Sequence, residues 1–193
     1  MKLLIVLVAM FMAAGMNYFT KKKYDYDIRL KYASILLTGV IVGVMAFMMN
    51  ISVSSLILMA TIPAFIVISF IDLKHILIPD RLNLYLAILG LVYIGVNYQV
   101  GWILLAGGIT YFILFFIVAV FVGNLGMGDV KMAFSIGVFL GFALLMKFLF
   151  FTLATALLVS LLLLISKKKK WDSKIAFGPY LAIGVVVTII SII

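Results

Sequence analysis

Cysteine and glutamate are absent from this sequence, histidine occurs once, and charge is sparse. Without cysteine there is no disulfide framework and no thiolate zinc site. The lone His75 leaves only carboxylates to hold a metal, and no metal or cofactor is expected. Charged residues make up 11% of the chain and hydrophobic residues 67%, with a mean hydropathy of +1.38. A soluble domain carries about 25% charged and about 45–50% apolar residues. The apolar excess is too large for a core surrounded by water, so lipid must be the solvent over much of the surface. The 193 residues fit a single domain, 1–193.

What charge there is divides the chain. Uncharged runs of 18, 40, 47, 15, 19 and 19 residues lie between Lys2 and Lys21, Lys31 and Asp72, Arg81 and Asp129, Lys131 and Lys147, Lys147 and Lys167, and after Lys174. A spanning helix needs roughly 20 apolar residues, so the two longest runs each hold two spans. Asn50 with Ser52, and Asn97 to Gly101, mark their turns. The reading is an all-α membrane bundle of about eight spans: 3–19, 32–49, 52–71, 82–97, 102–122, 132–146, 148–166 and 176–193. The sixth is short and needs a thinned bilayer or a buried end. Lys2, the apolar run and Ala13-Ala14-Gly15 also fit a cleaved signal peptide. Cleavage would leave seven spans with the charged loops on the same side.

The net charge of +9 does not point to nucleic acid, because the basic residues sit in short clusters between apolar runs. Thirteen of the 15 fall in the loops after spans 1, 3, 5 and 7: Lys21 to Lys23, Arg29, Lys31, Lys74, Arg81, Lys131, Lys167 to Lys170 and Lys174. Lys2 and Lys147 lie on the other side. Positive loops face the cytoplasm, which places both termini outside. The Lys167–Lys170 run serves topology or anionic lipid headgroups.

All six acidic residues are aspartates, and all fall on the predicted cytoplasmic side. Asp25, Asp27 and Asp172 lie among lysines and read as solvated loop charge. Asp72 follows twenty uncharged residues at the inner end of span 3, and Asp129 follows Gly126 and Gly128 between spans 5 and 6. An ionisable residue at the membrane boundary is costly unless paired or hydrated. The purely structural reading of each is a helix cap. Two facing carboxylates at one depth offer more. In a low dielectric one of such a pair keeps its proton, so one takes a proton from water and the other donates to an amide. No Ser–His–Asp set competes, and His75 reads as a solvated or supporting residue three positions past Asp72. The many Met and Phe residues read as membrane packing.

The segment Ile71-Asp72-Leu73-Lys74-His75-Ile76-Leu77-Ile78-Pro79-Asp80-Arg81-Leu82-Asn83 resembles the first active-site segment of the type IV prepilin peptidases. Gly126-Met127-Gly128-Asp129-Val130-Lys131 is similar to their GxGD motif. Ala176-Phe177-Gly178-Pro179-Tyr180-Leu181-Ala182 is similar to the FGP segment that opens their last span, and Asn17 loosely fits the end of their first. A GxGD alone is weak; the three segments in this order are specific.

The resemblance implies an aspartyl peptidase with Asp72 and Asp129 as the catalytic pair, in the cytoplasmic (inner) membrane with its site facing the cytoplasm. It implies prepilin or pilin-like membrane protein substrates of type IV pilus or secretion systems, cut behind a basic leader. Supporting positions are Gly126, Gly128, Pro79, Asp80, Gly178 and Pro179, with Lys74 and Lys131 two residues from each aspartate. Pro79-Asp80 also reads as the start of span 4, and Gly178-Pro179 as shaping the start of span 8. Bifunctional relatives carry a cysteine-containing loop after span 1, associated with zinc and N-methylation. Here that loop is only Thr20 to Lys31, so a peptidase without the methyltransferase module is expected. The GxGD of presenilin-type proteases is partnered by a YD pair inside a span, which is not found here. A small ion- or proton-coupled transporter using the same aspartates is the alternative; such sites lie near the midplane, whereas these acids lie at one edge. A catalytically dead assembly scaffold would not need both aspartates.

Overall fold

A computed structural model describes residues 1–21, 24, 27–123, 125–165 and 176–192. Lys22, Lys23, Asp25, Lys167 to Lys170, Asp172 and Lys174 lie outside the described residues.

The described residues form eight α-helices: α1 (Lys2–Lys21), α2 (Ile28–Met48), α3 (Val53–His75), α4 (Asp80–Val96), α5 (Gly101–Val122), α6 (Met127–Leu140), α7 (Leu145–Ile165) and α8 (Gly178–Ile190). Short 3-10 turns, Tyr98–Val100 and Phe142–Leu144, lead into α5 and α7. Five of the helical segments are long and apolar enough to cross a membrane: α1, α2, α3, and the segments containing α5 and α7. α8 is apolar but shorter, and α4 and α6 have 17 and 14 residues.

The starts follow local chemistry. Asp27 caps α2, its carboxylate accepting from the Arg29 amide at 3.1 Å. Ser52 and Ser55 form a reciprocal capping box at the start of α3. Pro79 precedes α4, with Asp80 in the first turn, where an acid meets the positive end of the helix dipole.

α3 is the most buried of the five long helices. It packs against α1, α2, α4 and α8, while α5 lies along α6 and α7 along α8. Phe65, Ile68, Ile71, Met132, Ile136 and Leu181 are fully buried in the resulting core. α5 and α6 approach backbone to backbone: a Cβ on Gly107 would stand 2.6 Å from Gly137 O, and one on Gly137 2.7 Å from Gly107 O. Small residues allow such crossings in an apolar solvent, where packing rather than water drives association.

Four helices differ from the sequence expectation; α2 begins at Ile28 rather than 32 and so takes in Arg29 and Lys31. The sixth helix runs 127–140 rather than 132–146. It begins at Met127, just after its cap Gly126, and includes the charged Asp129 and Lys131, because an acid in the first turn supports a helix rather than ending it. It stops at Gly141, whose φ of 67° is a left-handed conformation that glycine adopts readily. α7 begins at Leu145, so Lys147 lies in its first turn instead of between two helices. α3 continues through Asp72, Lys74 and His75, since basic side chains suit a helix C-terminus.

The two ends of the bundle differ in charge. Lys2 Nζ donates to Phe47 O at 3.3 Å and Lys147 Nζ to Ser191 O at 3.1 Å, both at the end where α2 and α8 finish. Lys21, Lys74, Arg81 and Lys131 lie where α1 and α3 finish and α4 and α6 begin.

Candidate active site

Asp72 lies in the last turn of α3, and Asp129 in the first turn of α6. The antiparallel run of the helices brings these turns to one end of the bundle. Asp72 is 3% exposed and Asp129 is 8% exposed. α8 packs against both α3 and α6, and α4 packs against both as well. The two carboxylates are within electrostatic reach of each other.

Each carboxylate is held by a glycine amide. Gly178 N donates to Asp72 Oδ2 at 2.8 Å, across 106 residues of sequence. This places the N-terminus of α8, with its unpaired amides and positive dipole end, directly on Asp72. Pro179 sits at the first turn of α8, where its missing N–H costs no helical bond. Side-chain volume at 178 is excluded, because a Cβ there would lie 2.9 Å from Asp72 Oδ2. Phe177, just before the helix, lies against Phe115 and Tyr180 with ring centroids 6.3 and 6.1 Å apart.

Gly126 N donates to Asp129 Oδ2 at 3.1 Å. Asp129 thus closes the start of its own helix, and the cap reading of this residue holds for one oxygen. The other, Oδ1, is buried with no hydrogen-bond partner among the described residues. A buried acceptor without a partner is rare in folded proteins, and this one belongs to a carboxylate beside a second carboxylate. Such a pair can bind and polarise a water, take one proton and deliver another.

The connection from α3 to α4 completes the site. Ile76 caps α3 with φ 51° and ψ 46°, a left-handed conformation unfavourable for a β-branched residue. Its amide donates to Asp72 O at 2.8 Å, which ends the helix four residues after the acid. Ile78 and Pro79 are buried. A Cβ on Gly128 would meet Ile78 Cβ at 2.9 Å, so glycine lets the start of α6 lie flat on this connection. Asn83 Nδ2 donates to Gly128 O at 3.1 Å, tying α4 to the residue before Asp129.

The other residues singled out from the sequence fall around this centre. Lys131 Nζ lies 2.7 Å from Asp80 Oδ1, an exposed ion pair between α6 and α4. Lys74 and His75 are exposed at the end of α3, and the His75 ring meets Tyr24 edge-on at 6.0 Å. Asn17 is buried and donates from Nδ2 to Ser34 Oγ at 2.9 Å, joining α1 to α2. Gly128 was expected in a turning loop but is helical, and only Gly126 of the two glycines stays outside α6. Sequence reasoning assigned no role to Asn83; the available signal was a lone amide on an otherwise apolar helix face.

The prepilin leader peptidase/N-methyltransferase of Pectobacterium carotovorum subsp. carotovorum is 31% identical over 127 residues, covering 62% of this chain and 45% of that protein. The chain therefore spans less than half the length of this curated relative. No solved structure matches it. The type IV leader peptidase family matches residues 59–164, a stretch that includes both aspartates and the α3–α4 connection. The chain belongs to the type IV leader peptidase family.

Proposed function

We propose that the chain is an aspartyl endopeptidase that removes the basic leader from prepilins or pilin-like proteins, using Asp72 and Asp129 to activate water. The observation that carries this reading is the placement of two buried aspartates at one end of the bundle, with Asp129 Oδ1 left unpaired. Gly178 and Gly126 fix one oxygen of each acid and leave the rest of the pair for water and substrate. With one proton between them, the ionised acid accepts a proton from water while the neutral acid donates to the peptide. Collapse of the tetrahedral intermediate then passes a proton to the leaving nitrogen.

The site works at the cytoplasmic face of the inner membrane, with both termini outside. Support comes from the segregation of basic residues to the site end, where the positive-inside rule places cytosol. A basic leader would remain on that side while the substrate's apolar helix lies in the bilayer. The link between α1 and α2 is too short for a methyltransferase module, so the activity is leader cleavage alone.

Purified full-length chain in detergent is incubated with a prepilin, and the new N-terminus is read by mass spectrometry. The native chain releases the leader; Asp72→Asn and Asp129→Asn each do not, while both melt near the native temperature. Cleavage by either variant at the native rate overturns the mechanism.

A further inference from the structure

Between α4, α5 and α6 the bundle opens into a crevice of about 640 Å³. Its walls are largely apolar, with Leu84 from α4, Ile109 and Phe112 from α5, and Phe134 from α6. The exposed Asp80–Lys131 ion pair and the exposed Arg81 also line it. Two other lining residues do not suit an apolar space. Asn83 is 5% exposed and Ser135 is 1% exposed. Asn83 Oδ1 and Ser135 Oγ are buried with no hydrogen-bond partner among the described residues.

Buried polar atoms are almost always paired in folded proteins, so two orphans lining one crevice point to an occupant that completes them. A lipid acyl chain has no donor or acceptor and would leave both unpaired. A polypeptide has both along its backbone. An extended segment offers an N–H to Asn83 Oδ1 and a C=O to the Ser135 hydroxyl, while its apolar side chains meet the aromatic walls.

The crevice is tied to the start of α6. Asn83 holds Gly128 O through its other side-chain atom, and Gly128 precedes Asp129. Ser135 lies six residues further along α6, a rise of about 9 Å. Six residues also rotate by about 240°, so Lys131, Phe134 and Ser135 line the crevice on the side of α6 away from Asp129. Asn83 Oδ1 and Ser135 Oγ are unpaired buried atoms on the packed helices α4 and α6.

We propose that this crevice seats part of the substrate's apolar segment, with Asn83 and Ser135 pairing the backbone groups exposed when that segment unwinds. The proposal rests on the leader-peptidase reading of Asp72 and Asp129.

The test places a photoreactive benzoylphenylalanine at Ala87, on the crevice wall, in full-length chain carrying Asp72→Asn so that substrate is not consumed. The control position is Leu157, which is 61% exposed on α7. Irradiation in vesicles with a prepilin yields an adduct from position 87 that maps to the substrate's apolar segment, and none from position 157. Equal adducts from both positions, or adducts to lipid alone, overturn the proposal. In the active chain, Ser135→Ala raises KM by roughly tenfold, the loss of one hydrogen bond to substrate. It leaves kcat unchanged and does not lower the melting temperature, because the hydroxyl has no partner to lose in the free chain. An unchanged KM overturns the pairing role. Cleavage by the native chain without the adduct removes the seat and keeps the peptidase; the adduct without cleavage does the reverse.

Discussion

The amide of Gly178 donates to Asp72 Oδ2 at 2.8 Å, and a methyl group on the same glycine would stand 2.9 Å from that oxygen. One residue therefore supplies both the hydrogen bond and the space that fix the acid.

Gly178→Ala is expected to displace the Asp72 carboxylate rather than the helix, because the clashing atoms are at the end of a side chain that can rotate. A hydrogen bond to a charged group contributes about 1.5–3 kcal/mol. Cleavage should fall by roughly tenfold to a hundredfold, with the melting temperature close to native. Native-level cleavage by this variant would show that the contact does not position the acid.

Gly128→Ala should act differently. The new Cβ would meet Ile78 at its own Cβ, 2.9 Å away, where no rotation relieves the contact. The start of α6 must move, at a cost of about 1–3 kcal/mol for overpacking. Thermal melting should drop and cleavage fall together, which separates this variant from Gly178→Ala in a side-by-side measurement.

Cleavage should depend on pH with a bell shape. A pair working with one proton between its members loses activity on the acid side when the second proton binds. It loses activity on the alkaline side when the shared proton leaves. The two limbs belong to the pair rather than to either aspartate. A kcat/KM profile with a single limb across the stable range would contradict shared proton transfer.

The ion pair of Lys131 and Asp80, 51% and 79% exposed, should matter little to stability. Exposed pairs contribute about 0–1 kcal/mol and are screened by salt. Lys131→Ala, Asp80→Ala and the double variant form a cycle whose coupling energy should fall below about 1 kcal/mol. A larger value, unaffected by salt, would mark the pair as a clamp between α4 and α6.

Helix number and approximate positions were legible because rare charges mark most turns, and Asn50 with Ser52 and Asn97 to Gly101 mark the other two. The same rule failed where charge belongs to a helix. Asp129 and Lys131 lie inside the first turns of α6, and Lys147 inside that of α7. The stop signal near residue 140 was Gly141 with its positive φ, which an uncharged run does not reveal. The candidate acids could be read from their motifs. The contact between Asp72 and Gly178 could not, since 106 residues separate them and no local pattern encodes a long-range approach. Asn83 was overlooked for a related reason: its partner is a backbone carbonyl, which sequence does not distinguish from any other.

The helices around the acids are unequal in height. α6 and α8 have 14 and 13 residues, giving lengths of about 21 and 20 Å. The hydrocarbon layer is about 30 Å deep. α3, with 23 residues, is tall enough to cross it. Asp72, Asp129 and Gly178 stand level at one end of the bundle, so the shortfall of α6 and α8 falls at the opposite end, away from the acids.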